Sequence, residues 1–76
     1  MEELVSYLAR ALVDDPDAVR VERTERDDAV LLRLHVAKDD LGKVIGKQGR
    51  VVRALRTLVR AGGSKRGERT LLEIAE

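Results

Sequence analysis

The hydrophobic residues near the start of the chain recur at the spacing of an amphipathic helix. Between residues 2 and 13 they follow one another at intervals of one, three or four positions, which places them on one side of a helix. The helix is predicted to end at Asp14-Asp15-Pro16, because the residue before a proline avoids helical backbone angles. The apolar positions are Leu4, Val5, Leu8, Ala11 and Leu12.

The following segment alternates between apolar and polar residues, as expected for strands with one buried face. Val19 and Val21 begin the alternation, polar residues at 26–28 interrupt it, and a second alternating run follows, which together predict a hairpin. Residues 70–75 form a last predicted strand. The inward positions are Val30, Leu32, Leu34 and Val36 in the second strand, and Leu72 and Ile74 in the last.

Two helices are predicted on either side of the sequence Gly-Lys-Gln-Gly at residues 46–49. The first is short, has Asp39 or Asp40 as its N-cap, and ends at the first glycine. The second covers residues 50–61, and a flexible basic loop is expected at residues 62–67. One side of this second helix is apolar, and the other side carries Arg53, Arg56 and Arg60.

The resulting order of elements, α-β-β-α-α-β, predicts one α+β domain over residues 1–76. The connection between the second and third strands contains two helices, and crossovers of this kind join parallel neighbours. The helices are therefore expected to cover one face of a three-stranded mixed sheet. A domain of this size buries only about 60% of the surface of its unfolded chain, so an elaborate enclosed active site is not expected.

The composition narrows the possible functions and locations. The chain has no cysteine, which excludes disulfides, thiolate nucleophiles and cysteine metal sites, and agrees with a reducing cytoplasm. The N-terminal segment is acidic and amphipathic, unlike a signal peptide. No stretch approaches the ~18 apolar residues of a membrane span. We therefore expect a soluble, cytoplasmic protein that does not bind membranes.

The charged residues are distributed unevenly along the chain. The net charge is +1, but residues 1–37 carry −4, residues 38–69 carry +7, and residues 70–76 carry −2. A basic surface on one small domain indicates binding to a polyanion such as nucleic acid, although surface charge also serves solubility.

The sequence at residues 46–49 has two properties of a phosphate-binding turn. Glycines let the backbone turn sharply and let a ligand approach the main chain, and the start of the next helix attracts phosphate oxygens. The surrounding cations are Lys43, Lys47, Arg50 and Arg53. An isolated G-x-x-G is equally compatible with a tight corner between two helices.

Other ligands and catalysis are not supported by the sequence. The nucleotide-binding loop G-x-x-x-x-G-K-[ST] is not matched, because only three residues separate Gly42 from Gly46, where the motif needs four, and Gln48 replaces the hydroxyl residue. The fingerprint G-x-G-x-x-G is absent. His35 has no second histidine or cysteine with which to bind a metal, and no nucleophile, base and orienting group can be assembled. We expect no cofactor, no metal, no small-molecule substrate and no enzymatic activity.

Residues 44–52, VIGKQGRVV, resemble the core motif of the K-homology (KH) domain, V-I-G-x-x-G-x-x-I, with Val52 in place of the final isoleucine. The α-β-β-α-α-β order matches the type II arrangement of that domain. Over its whole length the chain is similar to the KhpA family of small bacterial proteins, which consist of little more than one KH domain.

The resemblance implies a binding site for about four nucleotides of single-stranded RNA. In KH domains the G-x-x-G loop holds the RNA backbone and an apolar groove receives the bases. The resemblance therefore assigns phosphate contacts to Gly46, Lys47, Gln48 and Gly49, reinforced by Lys43, Arg50 and Arg53. The groove would draw on Val44, Ile45, Val52, and Leu34 or Val36, all of which are also candidates for the core.

The only aromatic residue, Tyr7, is far from the loop in sequence, so one copy is expected to bind RNA weakly. Association of two weak sites increases affinity without new contacts. KhpA-like proteins form homodimers and pair with a larger KH-containing protein of the KhpB type, and the resemblance implies both partners here. The apolar side of the helix at residues 50–61 is predicted to contribute to a symmetric dimer, and Leu31 and Leu71 are expected on the sheet face opposite the helices.

The sequence thus favours a small RNA chaperone or post-transcriptional regulator that binds single-stranded RNA through the G-x-x-G loop. The alternative is a protein-interaction or dimerisation module that has the KH fold and little RNA affinity.

Overall fold

The computed structural model describes residues 1–76 and has the predicted order of helices and strands. Three short 3-10 turns, Pro16–Ala18, Lys38–Asp40 and Lys47–Gly49, connect the main elements. The α-β-β-α-α-β order is therefore confirmed. The main elements are α1 (Glu2–Leu12), β1 (Arg20–Arg26), β2 (Ala29–His35), α2 (Leu41–Ile45), α3 (Arg50–Lys65) and β3 (Arg69–Ile74).

The three strands form one mixed sheet in the order β1-β2-β3. The β1–β2 hairpin is antiparallel, with Arg20 opposite His35 at one end and Arg26 opposite Ala29 at the other. The pair formed by β2 and β3 is parallel, as predicted from the helical crossover between them. The middle strand is therefore fully paired, whereas β1 and β3 each have a free edge.

The core lies between one face of the sheet and the helices. Of the inward positions predicted for the second strand, Val30, Leu32 and Leu34 are buried, and the two leucines have no exposed surface. Val36 lies beyond the end of β2 and is half-buried. The helix α1 contributes two buried residues and α3 contributes two more. Of the stripe predicted for α1, Val5 is buried and Leu8 is half-buried, whereas the predicted inward positions Leu4, Ala11 and Leu12 are exposed. The buried apolar cluster consists of Val5, Ala9, Val19, Val30, Leu32, Leu34, Val44, Leu55, Val59 and Leu72.

The helix α3 is longer than predicted, because it continues through Gly62 and Gly63 to Lys65. The loop prediction for residues 62–67 was therefore wrong over its first four residues. Gly63 is buried where α3 passes close to β3, and a Cβ at this position would lie 2.3 Å from the Thr70 hydroxyl oxygen. The glycine is thus needed for close contact between helix and strand, and this packing outweighs its low helix propensity of about 1 kcal/mol.

Asp40 has a different role from the predicted helix cap. Its side chain makes no capping hydrogen bond to α2, and its backbone is already helical, at φ −98° and ψ −4°. An N-cap side chain normally needs an extended backbone to reach the first turn of the helix. The buried Asp40 carboxylate instead accepts hydrogen bonds from the backbone N–H groups of Asp14 (3.3 Å) and Asp15 (3.1 Å). It therefore links the segment after α1 to the start of α2.

A second charged cluster is centred on Arg23 of β1. Its guanidinium contacts carboxylates of Glu25 (2.8 Å), Glu2 (3.3 Å) and Glu68 (3.4 Å). Hydrogen bonds to Glu25 and then Glu2 raise the pKa of Arg23 above its ordinary value. These contacts join the hairpin to the start of α1 and to the turn before β3. None of the helices has the length and hydropathy required of a membrane span.

Candidate nucleic-acid interface

The turn between α2 and α3 contains three residues with positive φ within four positions. Gly46 has φ 76° and ψ 171°, Gln48 has φ 56° and ψ 27°, and Gly49 has φ 73° and ψ 17°. The Gly49 N–H donates to the Gly46 carbonyl oxygen over 3.1 Å, which closes the turn. The G-x-x-G sequence therefore forms a compact left-handed turn that exposes Lys47 and Gln48 at its tip.

Gly46 is required by both its backbone angles and its surroundings. A Cβ at this position would lie 2.4 Å from Cγ2 of Val51 and 2.9 Å from the Val51 backbone nitrogen. A Cβ at Gly49 would meet nothing closer than 3.9 Å, so only its positive φ favours glycine there. The first glycine thus lets the turn pack directly against the first residues of α3.

Two arginines on the first turn of α3 add positive charge next to the loop. Arg53 folds back toward it and donates from Nη2 to the Gln48 carbonyl oxygen (3.0 Å) and from Nε to the Gly49 carbonyl oxygen (3.3 Å). Arg50 is exposed at the start of the helix, and no side chain caps α3. The positive end of the α3 dipole and two guanidinium groups therefore lie at the turn.

Lys43 lies on α2, and its exposed side chain is paired with carboxylates. It donates to Asp14 Oδ2 over 2.6 Å and to Asp40 Oδ1 over 3.2 Å. Hydrogen bonds to Asp14 and then Asp40 raise the pKa of Lys43. Its charge is therefore compensated by the segment after α1, a distant contact that the local sequence does not reveal.

The four proposed base-groove residues differ in accessibility. Val44 has no exposed surface and Val52 has 7%, so both belong to the core and present almost no surface to a base. Ile45 and Val36 are half-buried and retain accessible apolar surface. The expectation of a groove lined by all four residues is corrected accordingly, because the packing of α2 and α3 on the sheet buries the two valines.

The basic side chains after Lys43 share a property that the sequence alone cannot show. None of them has a carboxylate within 4.0 Å, whereas Arg20, Arg23, Arg33 and Lys43 are all paired. Unpaired cations leave a positive potential that can attract an anionic ligand. These residues are Lys47, Arg50, Arg53, Arg56, Arg60, Lys65, Arg66 and Arg69.

Arg56 and Arg60 extend this positive surface from α3 to the free edge of β3. Arg56 donates from Nε to the Leu72 carbonyl oxygen over 3.3 Å. The two arginines line a shallow groove together with residues of the sheet, which are Leu31, Leu71, Leu72 and the acidic Glu73. The contact between α3 and the β3 edge adds these arginines to the candidate interface. The only sequence signal for this role was their position on the polar side of the predicted helix.

The comparison with known protein families covers almost the whole chain. The family described as KhpA/KhpB, KH domain, matches residues 2–74. The chain belongs to this family.

Curated relatives of this KhpA/KhpB-family chain cover it almost completely. Proteins named "RNA-binding protein KhpA" are 50% identical in Caldanaerobacter subterraneus subsp. tengcongensis, over 97% of this chain and 99% of the relative. The identity is 47% in Listeria monocytogenes, over the whole of both chains, and 49% in Aquifex aeolicus, over 100% of this chain and 96% of the relative. No solved structure gives a significant match. The resemblance to the KH domain is thereby confirmed.

The remaining titratable residues of this KH-family chain do not assemble into a second chemical site. No group of three or more histidine, cysteine or acidic side chains is placed to bind a metal ion. His35 instead contacts Glu22 on the neighbouring strand, and this hydrogen bond lowers the pKa of Glu22. The pair lies on the open face of the sheet, away from the helices.

Proposed function

We propose that this chain binds single-stranded RNA, without catalysis, through the loop at residues 46–49 and the arginines that follow it. The observation that carries the proposal is the left-handed turn together with Lys47, Arg50 and Arg53, which have no carboxylate partner, unlike Lys43. The names of the full-length relatives, which describe them as RNA-binding, support the same ligand.

The loop suits a phosphate because the backbone is open at Gly49 and the nearby charge is positive. A Cβ at Gly49 would meet nothing closer than 3.9 Å, so a phosphate can approach the main chain closely there, whereas the corresponding space at Gly46 is filled by Val51. Lys47, Arg50 and Arg53 supply the attraction, and Gln48 supplies a neutral donor. Lys43 joins them only if it leaves Asp14 and Asp40, so we assign it a smaller part than the other three cations.

Bases require apolar surface beside the loop, and the structure offers little of it. Ile45 and Val36 are half-buried, and the only aromatic residue, Tyr7, is on α1. Base stacking on aromatic side chains contributes about 1–3 kcal/mol per base in many single-strand binding proteins. Without it, phosphate contacts dominate, and binding by one copy is weak and has little preference for base sequence.

Self-association would compensate for this weakness, and α3 offers a surface for it. Leu58 is 49% exposed, and the neighbouring Ala54 and Ala61 are also exposed on the same side of the helix. An apolar stripe of this kind suits a two-fold symmetric dimer. A larger KH-containing protein of the KhpB type is the second partner that we propose, and the family description, which covers KhpA and KhpB, supports it.

In the cell we assign the chain the role of a small RNA chaperone or post-transcriptional regulator in the bacterial cytoplasm. The competing function is a dimerisation module that has kept the fold and lost RNA affinity. The exposed apolar stripe on α3 favours that alternative, whereas the unpaired cations favour RNA.

The decisive experiment replaces the tip of the loop by anionic residues. Lys47→Asp with Gln48→Asp puts two carboxylates where a phosphate would bind, so affinity for a short single-stranded RNA should fall at least about tenfold. Both residues are exposed, so stability should change by no more than about 0.5 kcal/mol. Fluorescence anisotropy with a labelled oligonucleotide measures the affinity.

A control with the same change in net charge separates the effect of charge at the loop from the effect of the protein's net charge on RNA affinity. Arg10→Asp with Arg20→Gln alters exposed residues on α1 and β1 and should reduce affinity by less than about threefold, since exposed charges beyond about 10 Å are screened. If the loop variant stays folded and binds RNA as well as the parent, the loop is only a corner, and the interaction-module function becomes the better explanation.

A further inference from the structure

The sheet has one face that no helix covers, and the register places its side chains in rows across the strands. Thr24, Leu31 and Leu71 form one row, and Leu71 is 40% exposed. Arg26 and Arg69 flank Ala29 in the adjacent row, on strands separated by β2. Neighbouring strands are about 4.8 Å apart, so the backbones of the two arginines are separated by about 10 Å.

The charges on this open face divide it into two halves. The row of Glu22, Arg33 and Glu73 holds two carboxylates and one guanidinium, with 3.7 Å between Arg33 and Glu73, and Glu22 lies 3.8 Å from Arg20. Arg26 and Arg69, in contrast, have no carboxylate within 4.0 Å, although fourteen acidic residues are present in the chain. The half of the open face that carries these arginines is therefore available to an anionic ligand.

This half of the face is continuous with the arginines of α3. Arg60 and Arg69 line the same groove at the end of α3, beside Ser64. Arg60 and Arg56 also line the groove that contains Leu31 and Leu71. Since α3 has 16 residues and is about 24 Å long, its arginines carry positive charge from the loop at residues 46–49 to the edge of β3.

Acidic residues limit the surface on its far side. Asp27 and Asp28 form the tip of the hairpin next to Arg26 and would repel an RNA strand there. Glu68 lies near Arg69 but contacts Arg23 over 3.4 Å. The attractive surface therefore ends at the hairpin tip, and a bound strand must turn across the row of leucines.

We propose that single-stranded RNA longer than the four nucleotides held at the loop continues past the edge of β3 onto the open sheet face, between Arg69 and Arg26, with bases on Leu31 and Leu71. This inference rests on the proposed function and specifies its ligand as single-stranded RNA of about eight nucleotides or more. RNA is favoured over a protein partner because the surface continues the basic side of α3 and has a row of unpaired arginines.

The test compares RNA length in the parent and in the variant Arg26→Gln with Arg69→Gln. The parent should bind a twelve-nucleotide oligouridylate at least about tenfold more tightly than a four-nucleotide one, and the variant should lose most of that gain. For the long RNA, the slope of log affinity against log salt should become less negative by about 1.4, since two phosphates lose their partners. The slope for the short RNA should not change.

The matched control, Arg10→Gln with Lys38→Gln, removes the same charge from exposed, unpaired residues elsewhere and should leave both slopes unchanged. Backbone amide shifts of Leu31 and Leu71 provide a second measurement, because they should respond to the long RNA and not to the short one. Circular dichroism checks that the variant is folded.

Three results would overturn the inference. One is an unchanged salt slope for the long RNA in the Arg26 and Arg69 variant, and another is the absence of amide shifts at Leu31 and Leu71. A third is loss of self-association with RNA binding intact, which would make this face a protein interface. Failure of the proposed function looks different, because the long RNA would then tolerate Lys47→Asp with Gln48→Asp and still depend on Arg26 and Arg69.

Discussion

Gly46 combines a backbone conformation and a packing contact that both exclude a side chain. Its φ of 76° is unfavourable for residues with a Cβ, and the Val51 side chain occupies the place where a Cβ would project. Gly42, only four residues earlier, lies inside α2 and would place a Cβ in open space. The two glycines therefore differ in function although both occur in the basic segment.

The difference predicts opposite effects of the same substitution. Gly46→Ala should destabilise the protein by about 2 kcal/mol or more, because left-handed strain of about 1–3 kcal/mol adds to the contact with Val51. Gly42→Ala should be neutral or stabilise by up to about 1 kcal/mol, since alanine favours helices. Urea unfolding measures both, and equal stability of the Gly46→Ala variant and the parent would contradict this account of the turn.

Asp40 is a second residue whose role depends on distant partners. Burial is the largest influence on its carboxyl group and opposes ionisation, but the N–H groups of Asp14 and Asp15 together with Lys43 outweigh it, so the pKa of Asp40 is lowered from 3.8. A lowered pKa in the folded state contributes stability above the unfolded pKa, and this contribution is lost as the pH falls through the folded value.

Asp40→Asn should therefore cost the most stability above about pH 5 and progressively less toward about pH 3. Unfolding by urea at several pH values, in parent and variant, measures the difference. The pKa values of Glu2 and Glu22 are also lowered, but both residues titrate in the two proteins and cancel in the comparison. A difference that stayed constant over this range would show that ionised Asp40 is not the stabilising form.

At the scale of the elements, α3 has three functions on different sides. Leu55 and Val59 pack into the core, arginines line the side that reaches the β3 edge, and Leu58 remains exposed among small residues. One helix of 16 residues therefore connects the core, the proposed RNA surface and the proposed dimer surface. Substitutions on its different sides should separate these functions.

Leu58→Glu should convert a dimer into a monomer, because it places a charge at the centre of the apolar stripe. The control is Leu71→Glu, which introduces the same charge at an exposed leucine on the open sheet face and should leave the dimer intact. Sedimentation velocity at tens of micromolar distinguishes the two states. A parent protein that remains monomeric would remove α3 as a self-association surface and leave a different protein as the partner.

The elements also show what local sequence can and cannot predict. Periods of two and of three to four residues predicted the strands and the helices, because burial on one face repeats at those intervals. The buried face of α1 was predicted only in part, since Val5 is buried but Leu4 and Leu12 are exposed. The glycine pair in α3 was misinterpreted, since its helical state depends on contact between Gly63 and Thr70. Asp40 was misinterpreted for the same reason, because its backbone partners are 25 and 26 residues away.

The candidate site was predicted only in part. The G-x-x-G turn and the cations beside it are contiguous in sequence, so the motif itself indicated them. The pairing of Lys43 with Asp14 and the contact of Arg56 with Leu72 depend on how distant elements pack. The burial of Val44 and Val52 likewise follows from packing, which decides whether a valine belongs to the core or to a groove.

At the scale of the whole molecule, the charged residues form two groups, those in ion pairs and those without a partner. Ion pairs are concentrated on the hairpin and at the junction of α1 with α2, whereas most of the unpaired cations lie between the loop at residues 46–49 and the start of β3. Exposed ion pairs stabilise proteins little, typically by less than about 1 kcal/mol each. Their main effect here is to neutralise the acidic half of the chain, so that a molecule of net charge +1 presents a basic surface on one side.

The parallel pairing of β2 with β3 also determines when this surface exists during synthesis. The strand β3 is the last element, and residues 36–68 must be made and folded before it can join β2. Contacts between distant segments form slowly, because the intervening chain must first be ordered. A chain still on the ribosome therefore has the loop but lacks the β3 edge and the completed open face until about residue 74 has emerged. The extended RNA surface that we propose is thus absent until β3 has emerged and paired with β2.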